Sequence, residues 1–135
     1  MTVWGHQSFE NDDALDWTHA LVTQGADAIR DALTGVLRAK QEGQPPGASL
    51  CACAIAAAEV LAVRLGRPGP DRLPVAVTEW ITEAPQPSPA LATNAVMAID
   101  AILEESELRA MWTKVQPGGA WPGALQRLRA RLLQR

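Results

Sequence analysis

The residues best suited to chemistry lie in one short stretch near the N-terminus, FENDDALDW, which spans residues 9–17. It carries four carboxylates in close succession: Glu10, Asp12, Asp13 and Asp16. Carboxylate oxygens are the ligands that hard cations prefer, and they are also the groups that pair with Lys and Arg on a partner. The stretch therefore suggests either a metal site or an acidic binding surface.

The metal hypothesis uses the pattern DDALD. It is similar to the Asp-rich DDxxD motif with which isoprenoid synthases hold magnesium and a diphosphate, so the three aspartates would supply the oxygens. Glu59, or Glu104 with Glu107, could complete such a site, and the last two form an ExxE pair like that of the small all-α nucleotide pyrophosphatases. The ExxD pair of those enzymes has no counterpart downstream, because no acid follows Glu107. A metal-dependent hydrolase or phosphate-handling enzyme is thus one alternative.

A simpler explanation is that the stretch starts a helix. Asn and Asp are favoured N-caps, and carboxylates in the first turn face the positive end of the helix dipole, which is worth about 0.3–1 kcal/mol each. Capping explains Asn11 and one or two acids but does not require four, and Asp12 and Asp16 repel each other on a shared face. The surplus charge predicts a contact surface for a basic protein partner, formed by Glu10, Asp12, Asp13 and Asp16.

The two cysteines, Cys51 and Cys53, are predicted to be buried thiols. Residues two apart on a helix point in different directions, which disfavours a disulfide. A CxC pair with the scattered histidines His6 and His19 lacks the paired ligand spacing of a structural zinc site. No dinucleotide-binding, P-loop, metalloprotease or nucleophile-elbow motif occurs in the sequence, so no cofactor is predicted.

Glycine and proline divide the chain into segments with helical periodicity, and the signals typical of strands are scarce. Helices are predicted from within Asn11–Asp13 to Gly25, from Ala26 to Lys40, from the N-cap Ser49 to Leu65, after Pro74, from Pro89 to Glu105, from the cap Ser106 to Lys114, and from Trp121 onward. The third segment is apolar nearly all round, which is typical of a central helix. We therefore predict one all-α domain over residues 1–135, a compact bundle of six or seven helices around an Ala-rich helix at 49–65.

One acid interrupts this apolar helix. Glu59 must be paired, hydrogen-bonded or protonated if it is buried. Its candidate partners are Arg30, Arg64, an arginine of the C-terminal helix, or the amides and tryptophan indoles of the N-terminal segment. If Glu59 lies at a helix edge, its carboxylate would instead reach water. We expect Glu59 to anchor the N-terminal segment on the central helix. The full set of predicted structural anchors is Trp4, Phe9, Asn11, Trp17, Glu59, Trp112 and Trp121.

Composition and charge narrow the class of protein. The net charge is −3, whereas a general nucleic-acid binder would normally be basic. The longest apolar run, residues 50–63, is too short to span a membrane. The first residues lack the basic and apolar regions of a secretory signal, so a cytoplasmic protein is expected. Residues 1–29 carry five acids and no Lys or Arg, whereas residues 108–135 carry six Lys or Arg residues and no acid. These groups could meet inside the fold, or the acids could face a partner.

The stretch WGHQSFENDDALDW resembles the N-terminal signature of the bacterial domain-of-unknown-function family 4259, which has the form W-G-x-x-x-F-[DE]-N-D-x-A-x-D-W. The pieces AAAEVLAVRLG (56–66) and SELRAMW (106–112), and a final Trp-containing helix with R-x-R-L, fit the layout of that family. The family has a G-T-G-x-F form where this chain has Gly5-His6-Gln7-Ser8-Phe9, so no anion-binding turn is carried over. The resemblance brings no established activity, but small acidic all-α bacterial proteins of this kind are often suspected of being immunity proteins.

Three classes of function follow. The one favoured is a non-enzymatic, immunity- or antitoxin-like protein whose acidic face binds another protein, such as a toxin with a basic cleft. The second is the metal-dependent enzyme built on DDALD. The third is a structural or assembly protein in which the acids only cap a helix.

Overall fold

The computed structural model describes residues 5–134, so the predicted anchor Trp4 lies outside the described residues. Within this range the chain forms helices and no β-strand, which confirms the all-α prediction. The seven helices are α1 (Asp12–Gln24), α2 (Ala26–Gln41), α3 (Ala48–Arg64), α4 (Val75–Glu83), α5 (Pro89–Glu104), α6 (Glu107–Val115) and α7 (Trp121–Leu133).

The helix α3 lies at the centre and packs against each of the other six. Eleven of its 17 residues are buried, and six of those are alanines that allow neighbouring helices to approach closely. The prediction of a central Ala-rich helix is confirmed, with both ends one residue earlier than expected. The helix is closed by Gly66, whose φ of +83° suits a residue without a Cβ. Its N–H donates to the Val63 carbonyl, and the Arg67 N–H donates to the Ala62 carbonyl.

The predicted N-cap of α3 is wrong. Ser49 lies inside the helix and is exposed, and Gly47 occupies the cap position without a side-chain hydrogen bond. The Ala48 N–H instead donates to Oε2 of Glu107, 3.3 Å away on α6. The Glu107 N–H in turn donates to the Pro46 carbonyl at 3.0 Å. A carboxylate from a distant part of the chain thus replaces a local cap, and local sequence spacing does not reveal it.

Helices α2, α5 and α7 complete the core around α3. Leu33, Ile99, Ile102 and Leu128 are among the side chains that fill it. Met97 of α5 is half exposed. It follows the buried Ala95 by only two positions, and such a step leads to a different side of a helix.

In the described part of the chain, no helix combines the length and the apolar character that crossing a membrane would need.

Candidate functional site

The acidic stretch begins with a helix cap. Asn11 is buried, and its Oδ1 accepts a hydrogen bond from the Ala14 N–H at 2.8 Å. Its amide nitrogen donates to the Ser8 carbonyl at 3.5 Å, which ties the cap to the segment that precedes α1. Asn11 therefore supplies the local capping that the helix needs, and the aspartates that follow are additional.

Asp12 and Asp16 are exposed on the surface of α1, one turn apart. The helix contains no Lys or Arg, and its only other titratable exposed side chain is His19. Among residues 5–134, neither carboxylate is in an ion pair. The outer face of α1 therefore presents two unneutralised negative charges to solvent.

Asp13 lies at the inner edge of this face. It is half-buried, and its Oδ2 is buried without a hydrogen-bond partner. The Asp13 carbonyl accepts a weak hydrogen bond from the Cys53 thiol of α3 at 3.8 Å. Burial, and then the charges of Asp13 and Asp16, raise the pKa of Cys53 to about 11. Burial likewise raises the pKa of Cys51 to about 12. Both thiols are thus protonated near neutral pH and are poor nucleophiles.

Glu10 is turned back onto its own segment. Its Oε1 accepts a hydrogen bond from the Gln7 N–H at 3.0 Å, and the carboxylate covers Gly5 so closely that a Cβ there would overlap it. Of the four predicted contact residues, Glu10 is therefore the one whose carboxylate is partly engaged within the molecule.

Four surface acids of the described chain pair with nearby cations, whereas Glu79 and Glu83 of α4 are exposed and, like Asp12 and Asp16, are in no ion pair among residues 5–134. The surface pairs have N–O distances between 2.6 and 3.7 Å, and they join Arg30 to Asp27 and Asp31, Lys40 to Glu104, and Arg129 to Asp100. No ion pair within residues 5–134 joins the four N-terminal carboxylates to the C-terminal arginines. The carboxylates of Asp12 and Asp16 thus carry no ion pair within residues 5–134.

The residues of the metal hypothesis do not form a ligand set within residues 5–134. Among residues 5–134, no three His, Cys, Asp or Glu side chains come together closely enough to hold a metal ion. The two members of the ExxE pair are used elsewhere, since Glu104 pairs with Lys40 and Glu107 caps α3.

Glu59 lies at the centre of a buried polar network. Its side chain is 2% exposed, and the cation that pairs with it comes from the C-terminal helix. Arg131 donates from Nη1 to Oε1 at 3.0 Å and from Nη2 to Oε2 at 2.6 Å. Ser8 donates from Oγ to Oε1 at 3.4 Å, so the carboxylate joins α3, α7 and the N-terminal segment.

The loop between α3 and α4 also holds the N-terminal segment, which the sequence did not suggest. The Ser8 N–H donates to Oδ2 of Asp71 at 2.8 Å, and the Arg72 N–H donates to Oε1 of Gln7 at 3.1 Å. An open groove of about 600 Å³ lies beside this junction, and Phe9, Glu10 and Leu15 contribute to its walls. Of the four acidic residues, Glu10 lines this groove, and it does so together with the cation Arg72.

The aromatic anchors support the same region. Phe9, Trp17 and Trp121 are buried, and Trp112 is half-buried. Both aromatics that flank the acidic stretch thus point into the core, which fixes α1 so that Asp12 and Asp16 face outward.

In a comparison with protein families, the family described as "Domain of unknown function (DUF4259)" matches residues 2–123. No curated protein and no solved structure matches the chain.

Proposed function

The chain belongs to the DUF4259 family, a domain of unknown function, and we propose its function from its own residues. It is a non-enzymatic, immunity-like protein that binds a basic protein through the acidic face of α1. The acidic face is formed by Asp12 and Asp16, with Asp13 and Glu10 at its edge.

The observation that carries this proposal is the clustering of acids at the start of α1, where Asp12 and Asp16 are exposed and in no ion pair among residues 5–134, and Asp13 and Glu10 lie beside them. Asp27, Asp100 and Glu104 each pair with a cation of the same chain, whereas Asp12 and Asp16 stand exposed on a helix without Lys or Arg. Acids of one charge at this spacing destabilise a helix by a few tenths of a kcal/mol. A basic partner would remove that repulsion on binding.

The rigidity of the face also supports binding. Asn11 fixes the start of α1, and Phe9 and Trp17 fix its inner side. A preformed surface loses little conformational entropy when a partner docks. Complementary charge mainly accelerates association and selects the partner. The adjacent groove offers apolar contact area through Leu15 and Leu73.

The protonated state of the thiols and the engagement of Glu104 and Glu107 in structural contacts favour binding over catalysis. The acids of α1 are splayed along an exposed helix, which suits pairing with several Lys and Arg residues of a partner.

The test compares two charge-reversed variants. Asp12→Lys/Asp16→Lys changes the acidic face, and Glu79→Lys/Glu83→Lys is a matched control, because these two glutamates are also exposed and one turn apart on α4. Wild type and both variants are used to capture partners from the cells that produce the protein. Captured proteins are identified by mass spectrometry, and the affinity of each purified partner is then measured by calorimetry at low and high salt.

We expect a basic partner that binds wild type and the α4 control alike and binds the α1 variant on the order of tenfold to a hundredfold more weakly. Higher salt should weaken the wild-type complex. Circular dichroism checks that the α1 variant is folded, because each lysine in the first turns of α1 costs about 0.3–1 kcal/mol. Equal binding by both variants would contradict the proposal and favour a capping role for the acids.

A further inference from the structure

A second concave site lies on another side of the molecule, between α2, α3, α4 and the linker that leads to α5. Its volume is about 250 Å³. Ile29, Leu61, Trp80 and Leu91 form most of its apolar wall. This volume is just below the usual range for ligand sites of about 300–1,000 Å³, and with a mostly apolar lining it suits a small molecule better than a protein side chain.

The wall formed by the linker is stiff. Residues 84–89 read APQPSP, so three prolines fix the backbone angle φ at alternate positions. Arg64 holds the linker from α3, donating from Nε to the Ala84 carbonyl at 2.8 Å and from Nη1 to Oε1 of Gln86 at 3.3 Å. The pocket is therefore formed before any ligand enters, which lowers the entropic cost of binding.

Two cations, Arg30 and Arg64, and one carboxylate, Asp27, line the pocket. Arg30 pairs with Asp27 at 3.2 Å and with Asp31 at 3.7 Å, so its charge is neutralised locally. Arg64 has no carboxylate partner among residues 5–134, and both of its hydrogen bonds go to neutral oxygens. The guanidinium is half-buried and has unused N–H donors on Nη1 and Nη2. It can therefore donate two hydrogen bonds to a carboxylate in a bidentate contact.

One polar group near Arg64 is also unused. Ser88 precedes α5 and lines the pocket, but its hydroxyl makes no capping hydrogen bond. Its hydroxyl is therefore a further hydrogen-bond donor on the pocket wall. The pocket thus combines an apolar interior with one uncompensated cation and a hydroxyl donor.

From this combination we propose that the pocket binds a small amphipathic carboxylate, with its hydrocarbon part against Trp80 and Leu91 and its carboxylate on Arg64. The site is separate from the acidic face, and it does not depend on the proposed protein-binding function. Trp80 is half-buried in the pocket wall and therefore reports on occupancy.

The experiment uses sodium octanoate and octan-1-ol, which share a hydrocarbon chain and differ in the anionic head. Each is titrated into ¹⁵N-labelled protein, and the indole N–H signal of Trp80, assigned with Trp80→Phe, is followed by NMR. The variant Arg64→Met removes the guanidinium and keeps an apolar stem. Arg127→Met is the matched control, since it removes an exposed arginine that does not line the pocket.

We expect octanoate to shift the Trp80 signal and to bind more tightly than octanol. Arg64→Met should weaken octanoate by about tenfold to a hundredfold, the value of a lost charge-assisted contact, and leave octanol unchanged. Arg127→Met should bind octanoate like wild type. Unchanged octanol binding also shows that the pocket persists without the Arg64 contacts to the linker.

Two results would overturn the proposal directly. One is the absence of any octanoate-dependent shift at Trp80, and the other is equal octanoate affinity in wild type and Arg64→Met. If Arg64→Met does not fold, the wild-type shift map decides: changes confined to Ile29, Leu61, Trp80 and Leu91 support the site, and changes spread over other helices contradict it.

Discussion

Arg131→Met tests the buried ion pair that links three parts of the fold. The substitution removes both charge-assisted hydrogen bonds to Glu59, at 3.0 and 2.6 Å, and leaves a 2% exposed carboxylate with only the Ser8 hydroxyl at 3.4 Å. Hydrogen bonds to charged groups contribute roughly 1.5–3 kcal/mol each, and breaking one side of a buried pair costs about 3–5 kcal/mol. We therefore expect the free energy of unfolding to fall by about 4 kcal/mol.

Urea denaturation followed by circular dichroism measures this loss. With a dependence of about 2 kcal/mol per molar urea, the midpoint should fall by about 2 M. Arg129→Met is the matched control on the same helix. Its pair with Asp100 is 35% and 46% exposed, so its loss should be below about 1 kcal/mol.

The double variant Glu59→Met/Arg131→Met gives the decisive comparison. It removes both charges, so no uncompensated carboxylate remains, and apolar replacements of buried pairs are often neutral or stabilising. It should therefore be more stable than Arg131→Met. A loss in Arg131→Met no larger than in Arg129→Met, or additive losses in the double variant, would refute the reasoning.

Three smaller effects should follow from a helix cap, a helix glycine and the two thiols. Asn11→Ala should lower the free energy of unfolding by about 1 kcal/mol and Asn11→Asp should change it little, because Ala14 loses its acceptor only in the first variant; equal losses in urea denaturation would contradict this. Gly35→Ala should stabilise α2 by about 0.5–1 kcal/mol, because its nearest neighbour is the exposed Leu50 side chain, which can move; a lower Tm would contradict this. Stability should fall as pH rises from 9 to about 11, because the folded protein keeps both thiols protonated while the unfolded chain ionises them. The urea midpoint should fall less steeply with pH across this window in Cys51→Ala/Cys53→Ala than in wild type. Equal pH dependence in the two proteins would show that the thiols do not cause the loss of stability.

The helices could be predicted from the sequence because their signals are local. Gly25, Gly66 and Ser106 mark helix ends through backbone angles or a side-chain cap, and the structure uses them in that way. The apolar run around Ala57 likewise indicates a central helix wherever it packs. These features depend on residues within a few positions of one another.

The predictions that missed depend on contacts between distant residues. The start of α3 is capped by Glu107, 59 residues after Ala48, and no periodicity carries that information. The sequence could identify Glu59 as a residue that needs a partner, but it could not choose among the arginines, because that choice depends on how α7 docks. The pocket at Arg64 was missed for the same reason, since its walls come from four separate segments.

The distance along the chain between Glu59 and Arg131 has a consequence for biosynthesis. They are 72 residues apart, so a ribosome that adds roughly 5–20 residues per second makes the carboxylate about 4–14 seconds before its cation. Until then, packing the other helices over this end of α3 would leave a bare charge in the core, which is costly. We therefore expect the core around Glu59 to close only after α7 has been made.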